Sequence, residues 1–105
     1  MAGLLLSGKS AIVTGGVTGI GRAIAVEFLR QGASVTVNHL GDEKSQHHFE
    51  SLQHEAPRGK LLGVSGDIGS RETGTTLVKA ATDHFKYLDV FVANAGVSQF
   101  RDFLT

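Results

Sequence analysis

The chain has 105 residues, 41% of them hydrophobic, enough to bury one core and to form one domain. Ten basic side chains balance ten acidic ones, so nothing in the charge suits a nucleic acid or an anionic membrane surface. Cysteine is absent, which excludes disulfides and thiolate chemistry, and the leucines at 4–6 are too few for a signal-peptide core or a membrane span; a cytoplasmic protein is the default expectation.

The first element expected is a strand at residues 11–13, a short apolar run suited to burial on both faces. The segment before it, Gly3 to Ser10, matches the triphosphate-binding pattern G-x-x-x-x-G-K-[ST] letter for letter. That loop has to follow a strand and open a helix, whereas here a strand follows, so the segment reads as a polar turn. After the strand come Gly15, Gly16, Gly19 and Gly21, and then a helix whose spacing Ile20, Ile24, Phe28 begins within the turn. Glycines there allow positive φ and close approach to main-chain N–H groups, and a helix N-terminus adds its positive dipole end. An anion such as a phosphate is the guest this arrangement favours.

Gly32 ends the first helix, and residues 34–37 form a β-branched second strand. Asp42 is placed to cap a second helix over 43–56, stopped by Pro57. That helix carries His47, His48 and His54, but no two of them stand at i, i+4, so a metal site is not expected. A third strand covers 61–64. Ser70 is the expected N-cap of a third helix with Leu77, Val78, Ala81 and Phe85 on one face, and a fourth strand covers 90–93. Alternating strands and helices indicate an α/β fold, a doubly wound parallel sheet of about four strands in the order 3-2-1-4 with three helices. Its crevice would lie at the carboxyl ends of strands one and four, where the strand order reverses.

Three stretches converge on that crevice: TGGVTGIG at 14–21, SGDIG at 65–69 and DVFVANAG at 89–96. The glycine spacing differs from the G-x-G-x-x-G fingerprint and resembles instead the short-chain dehydrogenase/reductase family, whose Rossmann-like domain binds NAD or NADP. The resemblance runs from Leu6 to Thr105 and corresponds to the cofactor-binding front half of such an enzyme, making residues 1–105 a single partial NAD(P)-binding domain. On that resemblance the cofactor-binding residues are Thr14, Gly15, Val17, Thr18, Gly19, Ile20 and Gly21 in the bend, Asp67 and Ile68 beside the adenine, and Asn94, Ala95 and Gly96 at the end of the fourth strand. The family often has a second asparagine where this chain has Ala93.

An acidic residue at the end of the second strand would bind the ribose 2′-hydroxyl, and here that place holds Asn38. His39 is the nearest group to touch a 2′-phosphate, and Asp42 is close enough to replace the missing acid, so the expected cofactor is NAD or NADP without preference. The family's acid–base chemistry uses a tyrosine with a lysine four residues on and a serine. The lone tyrosine, Tyr87, is followed at that distance by Phe91, and Ser98 has no recognisable partner, so no catalytic residue is assigned.

The resemblance implies the N-terminal part of an oxidoreductase acting on the CH–OH group of an alcohol or sugar, or on the corresponding carbonyl, with the full-length form expected to be a homo-oligomer. The alternative is a non-catalytic truncated fragment that binds the nicotinamide dinucleotide weakly or associates with full-length subunits. A third reading is a different Rossmann-like protein for another adenine-containing ligand. With FRDFLT ending the chain between elements, the fourth strand would be an exposed edge, and an association-prone fold is expected.

Overall fold

Four consecutive buried residues, Ser10–Val13, make β1, the strand around which the sheet is built. The computed structural model describes residues 5–94; Gly3, Ala95, Gly96, Ser98 and the FRDFLT segment lie outside them. Elements follow in the order β1 (Ser10–Val13), α1 (Gly19–Arg30), β2 (Ser34–His39), α2 (Glu43–Glu55), β3 (Leu61–Ser65), α3 (Arg71–Phe85) and β4 (Val90–Val92). All pairings are parallel and the strand order is β3-β2-β1-β4, as the alternation of elements predicts.

Successive strand residues point to opposite faces, and the register makes each face continuous. Val13 lies beside Val37 and Ala11 beside Val35. Val13, Val35 and Val37 join Val17, Ala25, Leu29 and Leu52 in one core, against α1 and α2. Ile12 faces the other way and packs with Leu77 and Ala81 of α3. Asp89 ties β4 to the start of β1 twice: its N–H donates to Ser10 O at 2.8 Å and its Oδ2 accepts from Ser10 N at 2.9 Å.

Four sequence expectations shift. The buried stripe of α1 is Gly21, Ala25 and Leu29, while Ile20 is 74% exposed; small side chains at 21 and 25 let the helix lie close to the sheet, and Ile24 and Phe28 pack at its flank. In α3, Leu77 and Ala81 are buried but Val78 is 39% exposed. Ser70 occupies the N-cap position of α3 without a side-chain cap bond. β2 is also two residues longer than its β-branched run, because Asn38 and His39 pair with Val64 and Ser65 of β3.

Asp42 caps α2 as expected, with Oδ1 accepting from Ser45 N at 2.7 Å. Leu52 is the one residue of α2 that is fully buried, and an ion pair from Arg22 to Glu55, 2.6 Å, links the end of α2 to the first turn of α1. Among the described residues no helix is long and apolar enough to cross a membrane.

Candidate functional site

The bend at 14–18 leaves β1 at the carboxyl edge of the sheet and is held from below by β4. Thr14 donates to Val92 O through its main-chain N–H at 3.0 Å and through Oγ1 at 3.3 Å. Asn94 Nδ2 donates to Gly15 O at 3.4 Å. Gly15 has φ +62°, in the left-handed region that glycine tolerates best.

Two glycines are required by packing and one is not. A Cβ on Gly16 would stand 2.6 Å from Val37 Cγ1, and one on Gly21 would stand 2.2 Å from Gly15 O and 2.6 Å from Asn94 Nδ2. Gly19, with φ +58°, would direct a Cβ into open space with no atom within 4 Å. Gly19, the first residue of α1, is therefore uncrowded by atoms outside its own helix and chain neighbours. Thr18 makes no side-chain cap bond and no acidic residue stands in the first turn, so the positive end of the helix is neither capped nor neutralised by its own side chains. These features suit an anion that a main-chain cradle can hold.

Beside the bend is a cavity of about 630 Å³. Gly15, Val17 and Thr18 line it from the bend, Asn38, His39 and Leu40 from the end of β2, and Ile68 from the turn after β3. Asp42, Lys44, Ser45 and His48 complete it from the start of α2. Asn38 donates from Nδ2 to Gly66 O at 2.9 Å, bridging the ends of β2 and β3. His39 stacks on Phe49 at 5.4 Å between ring centroids, and its Nδ1 lies 3.4 Å from Ser45 Oγ. Burial holds the His39 pKa below its ordinary 6.5, with Asp42 acting in the opposite direction. Asp42 itself is held below the usual carboxylate value, first by the hydrogen bond from the Ser45 main chain.

The structure thus gathers Gly15, Val17, Thr18, Asn38, His39 and Ile68 around one cavity, with Gly19, Ile20 and Gly21 in the adjoining first turn of α1. Thr14 and Asn94 support the bend. Asp67 lies in the turn before α3, where its Oδ1 accepts from Gly69 N at 2.9 Å, and it does not line this cavity. Ala95 and Gly96 fall outside the described residues. Sequence reasoning missed Leu40, Lys44, Ser45 and His48 as site residues; the signal available for Lys44 and His48 was their i, i+4 spacing just after the Asp42 cap.

A second cavity, about 920 Å³, lies on the other side of Ile68, between α3 and β4; Thr14, Val78, Phe91 and Ala93 are among its walls. Tyr87 is remote from both cavities: its hydroxyl donates to Gly8 O, before β1. Among the described residues no three His, Cys, Asp or Glu side chains converge to hold a metal ion.

A family model described as short chain dehydrogenase matches residues 9–105. The chain belongs to the short chain dehydrogenase family. It corresponds to the N-terminal part of the family's domain, and members of the family use a nicotinamide coenzyme. Among curated relatives it is 49% identical over 102 residues to an L-rhamnose-1-dehydrogenase of Scheffersomyces stipitis, covering 95% of this chain and 40% of the relative. It is 42% identical over 103 residues to an L-rhamnose 1-dehydrogenase (NAD(P)(+)) of Azotobacter vinelandii, covering 96% and 40%. The chain spans about 40% of the length of these relatives.

Solved structures agree on the fold. The apo form of a glucose dehydrogenase of Caenorhabditis elegans superposes with a TM-score of 0.77 at 26% identity, covering 95% of this chain and 44% of that one. The N-domain of a bacterial malonyl-CoA reductase with NADP gives 0.75 at 26% identity, covering 88% and 17%. Thr18 in the cavity wall and the uncrowded Gly19 after it stand at the uncapped start of α1, so the residues present leave room for the phosphates of such a coenzyme.

Proposed function

We propose that residues 1–105 form a partial NAD(P)-binding domain, the front part of a dehydrogenase that oxidises a hydroxyl group of a sugar. The observation that carries this reading is the uncrowded Gly19 at the start of a helix whose N-terminus has no side-chain cap. The main-chain N–H groups of the bend and of the first turn of α1 hold the pyrophosphate. Val17, Leu40 and Ile68 offer apolar walls to the adenosine half, and Asn38 keeps the ends of β2 and β3 in register beneath it. Asp67 shapes the turn that presents Ile68. Thr14 and Asn94, with Ala95 and Gly96 following in sequence, steady the bend and leave room for the nicotinamide-side ribose.

When bound, the coenzyme supplies a hydride acceptor or donor. Everything else in the reaction needs an acid–base group near the substrate, and the sequence holds no tyrosine followed by a lysine four residues on. The chain by itself is therefore a binding unit without turnover. The sugar class, and both NAD and NADP as acceptable coenzymes, are supported by the two L-rhamnose dehydrogenase relatives, one of which is named for NAD(P)(+).

Calorimetry of the 105-residue chain with NAD+ and with NADP+ tests the reading, and binding of both is expected with no change in nicotinamide absorbance on adding L-rhamnose. Gly19→Ala places a methyl group in the approach and should weaken both coenzymes about tenfold or more, about 1.4 kcal/mol. Circular dichroism of the variant should stay close to the parent's, since no atom opposes that methyl group and the left-handed φ costs only about 1–2 kcal/mol. A folded chain that binds neither coenzyme would overturn the proposal.

A further inference from the structure

The end of β2 leaves a question of selectivity open, since neither of its polar side chains is free to choose between coenzymes. Asn38 is buried with its amide donating to Gly66 O, and His39 is buried with its ring stacked on Phe49. The charges that line the same cavity come instead from the start of α2, Asp42 and Lys44, and His48 lines it with them. Lys44 and His48 are one helical turn apart, so their side chains rise from one face. Asp42 is the opposing charge, fixed in place by its bond to Ser45 N.

We propose that Lys44, assisted by His48, is the specificity-determining contact for a phosphate on the 2′-oxygen of the bound ribose, and that Asp42 works against it. This rests on the coenzyme-binding reading above. A lysine ammonium at the wall of a concave site is a point charge able to follow a phosphate oxygen on a flexible stem, with no fixed geometry to satisfy. The ribose hydroxyl of NAD gains little from that ammonium, while the Asp42 carboxylate accepts from a hydroxyl and repels a phosphate. One cation against one anion, on a single turn of helix, lets the cavity admit both coenzymes. The balance is set by residues 42 and 44, not by residue 38.

Two probes that differ only at the 2′-position separate the claims: adenosine 5′-monophosphate and adenosine 2′,5′-bisphosphate, titrated into the 105-residue chain at low and moderate salt. Lys44→Gln should weaken the bisphosphate about fivefold to tenfold and leave the monophosphate within about twofold, with a flatter salt dependence for the bisphosphate. Lys44→Arg should restore the preference. Asp42→Asn keeps a good N-cap residue while removing the charge, and should tighten the bisphosphate severalfold. The proposal is overturned if Lys44→Gln leaves the ratio of the two affinities unchanged or weakens both probes alike. If the folded parent binds neither probe, the coenzyme-binding reading itself has failed and this inference goes with it.

Discussion

The side-chain amide of Asn38 is already committed: Nδ2 donates to Gly66 O at 2.9 Å and the residue is 3% exposed. Replacing it with aspartate would set a carboxylate oxygen against a carbonyl oxygen in a site with little water. Asn38→Asp is expected to cost about 1–3 kcal/mol of stability, read from the shift in a urea unfolding midpoint at constant slope. The added charge at the cavity wall should also weaken NADP+ more than NAD+ in calorimetry. Sequence spacing places Asn38 near the end of the second strand by counting from the glycine bend, and in the structure it is the last residue but one of β2. Spacing could not show that the amide is occupied, because Gly66 is distant in sequence and reaches Asn38 only through the β2–β3 pairing. The same reason hid Lys44 and His48, which look like ordinary solvated helix residues until α2 is folded back over the end of β2.

Among the elements, β2 and α2 form a unit whose stability depends on protonation. His39 closes β2 under Phe49, and its burial depresses the folded pKa below 6.5. The unfolded chain therefore binds a proton more readily than the folded one, so stability is complete above about pH 6.5 and declines as the pH falls toward the folded value. Asp42 adds a further loss below about pH 3.8, where the unfolded chain's carboxyl takes up a proton while the carboxylate capping α2, held lower, still resists it. Thermal melts should show the midpoint falling between pH 7.5 and 5.5. His39→Phe, which keeps an aromatic ring against Phe49, should remove part of that fall. Every helix and strand was visible in the alternation of apolar runs and turn residues. Size sets the difference: Ile20 reads as the start of the buried stripe of α1, while Gly21, buried against the bend and Asn94, and Ala25, buried in the core, form it despite their little apolar surface. Val78 misreads in the same way, its apolar side chain facing outward beside the true contacts Leu77 and Ala81.

For the molecule as a whole, the sheet has two edges among the described residues, β3 and β4, and they differ in cover. β4 is three residues long, its Phe91 is 45% exposed, and with Val78 that ring lines the larger cavity. A strand edge next to exposed apolar side chains favours association. The 105-residue chain is expected to bind a hydrophobic dye and to sediment faster at higher concentration. Phe91→Lys should reduce both effects; a parent chain that stays monomeric and dark would refute this.

The two hydrogen bonds that Thr14 donates to Val92 O, with Asn94 reaching Gly15 O, make the glycine bend a lodger on the shortest strand of the sheet. Its local free energy of opening is then shared with β4: when that strand unzips, the cradle slackens, and whatever sits in the cradle lends its affinity to keeping the strand zipped. A ligand grasped on one side of the sheet thereby stiffens the rim on the other.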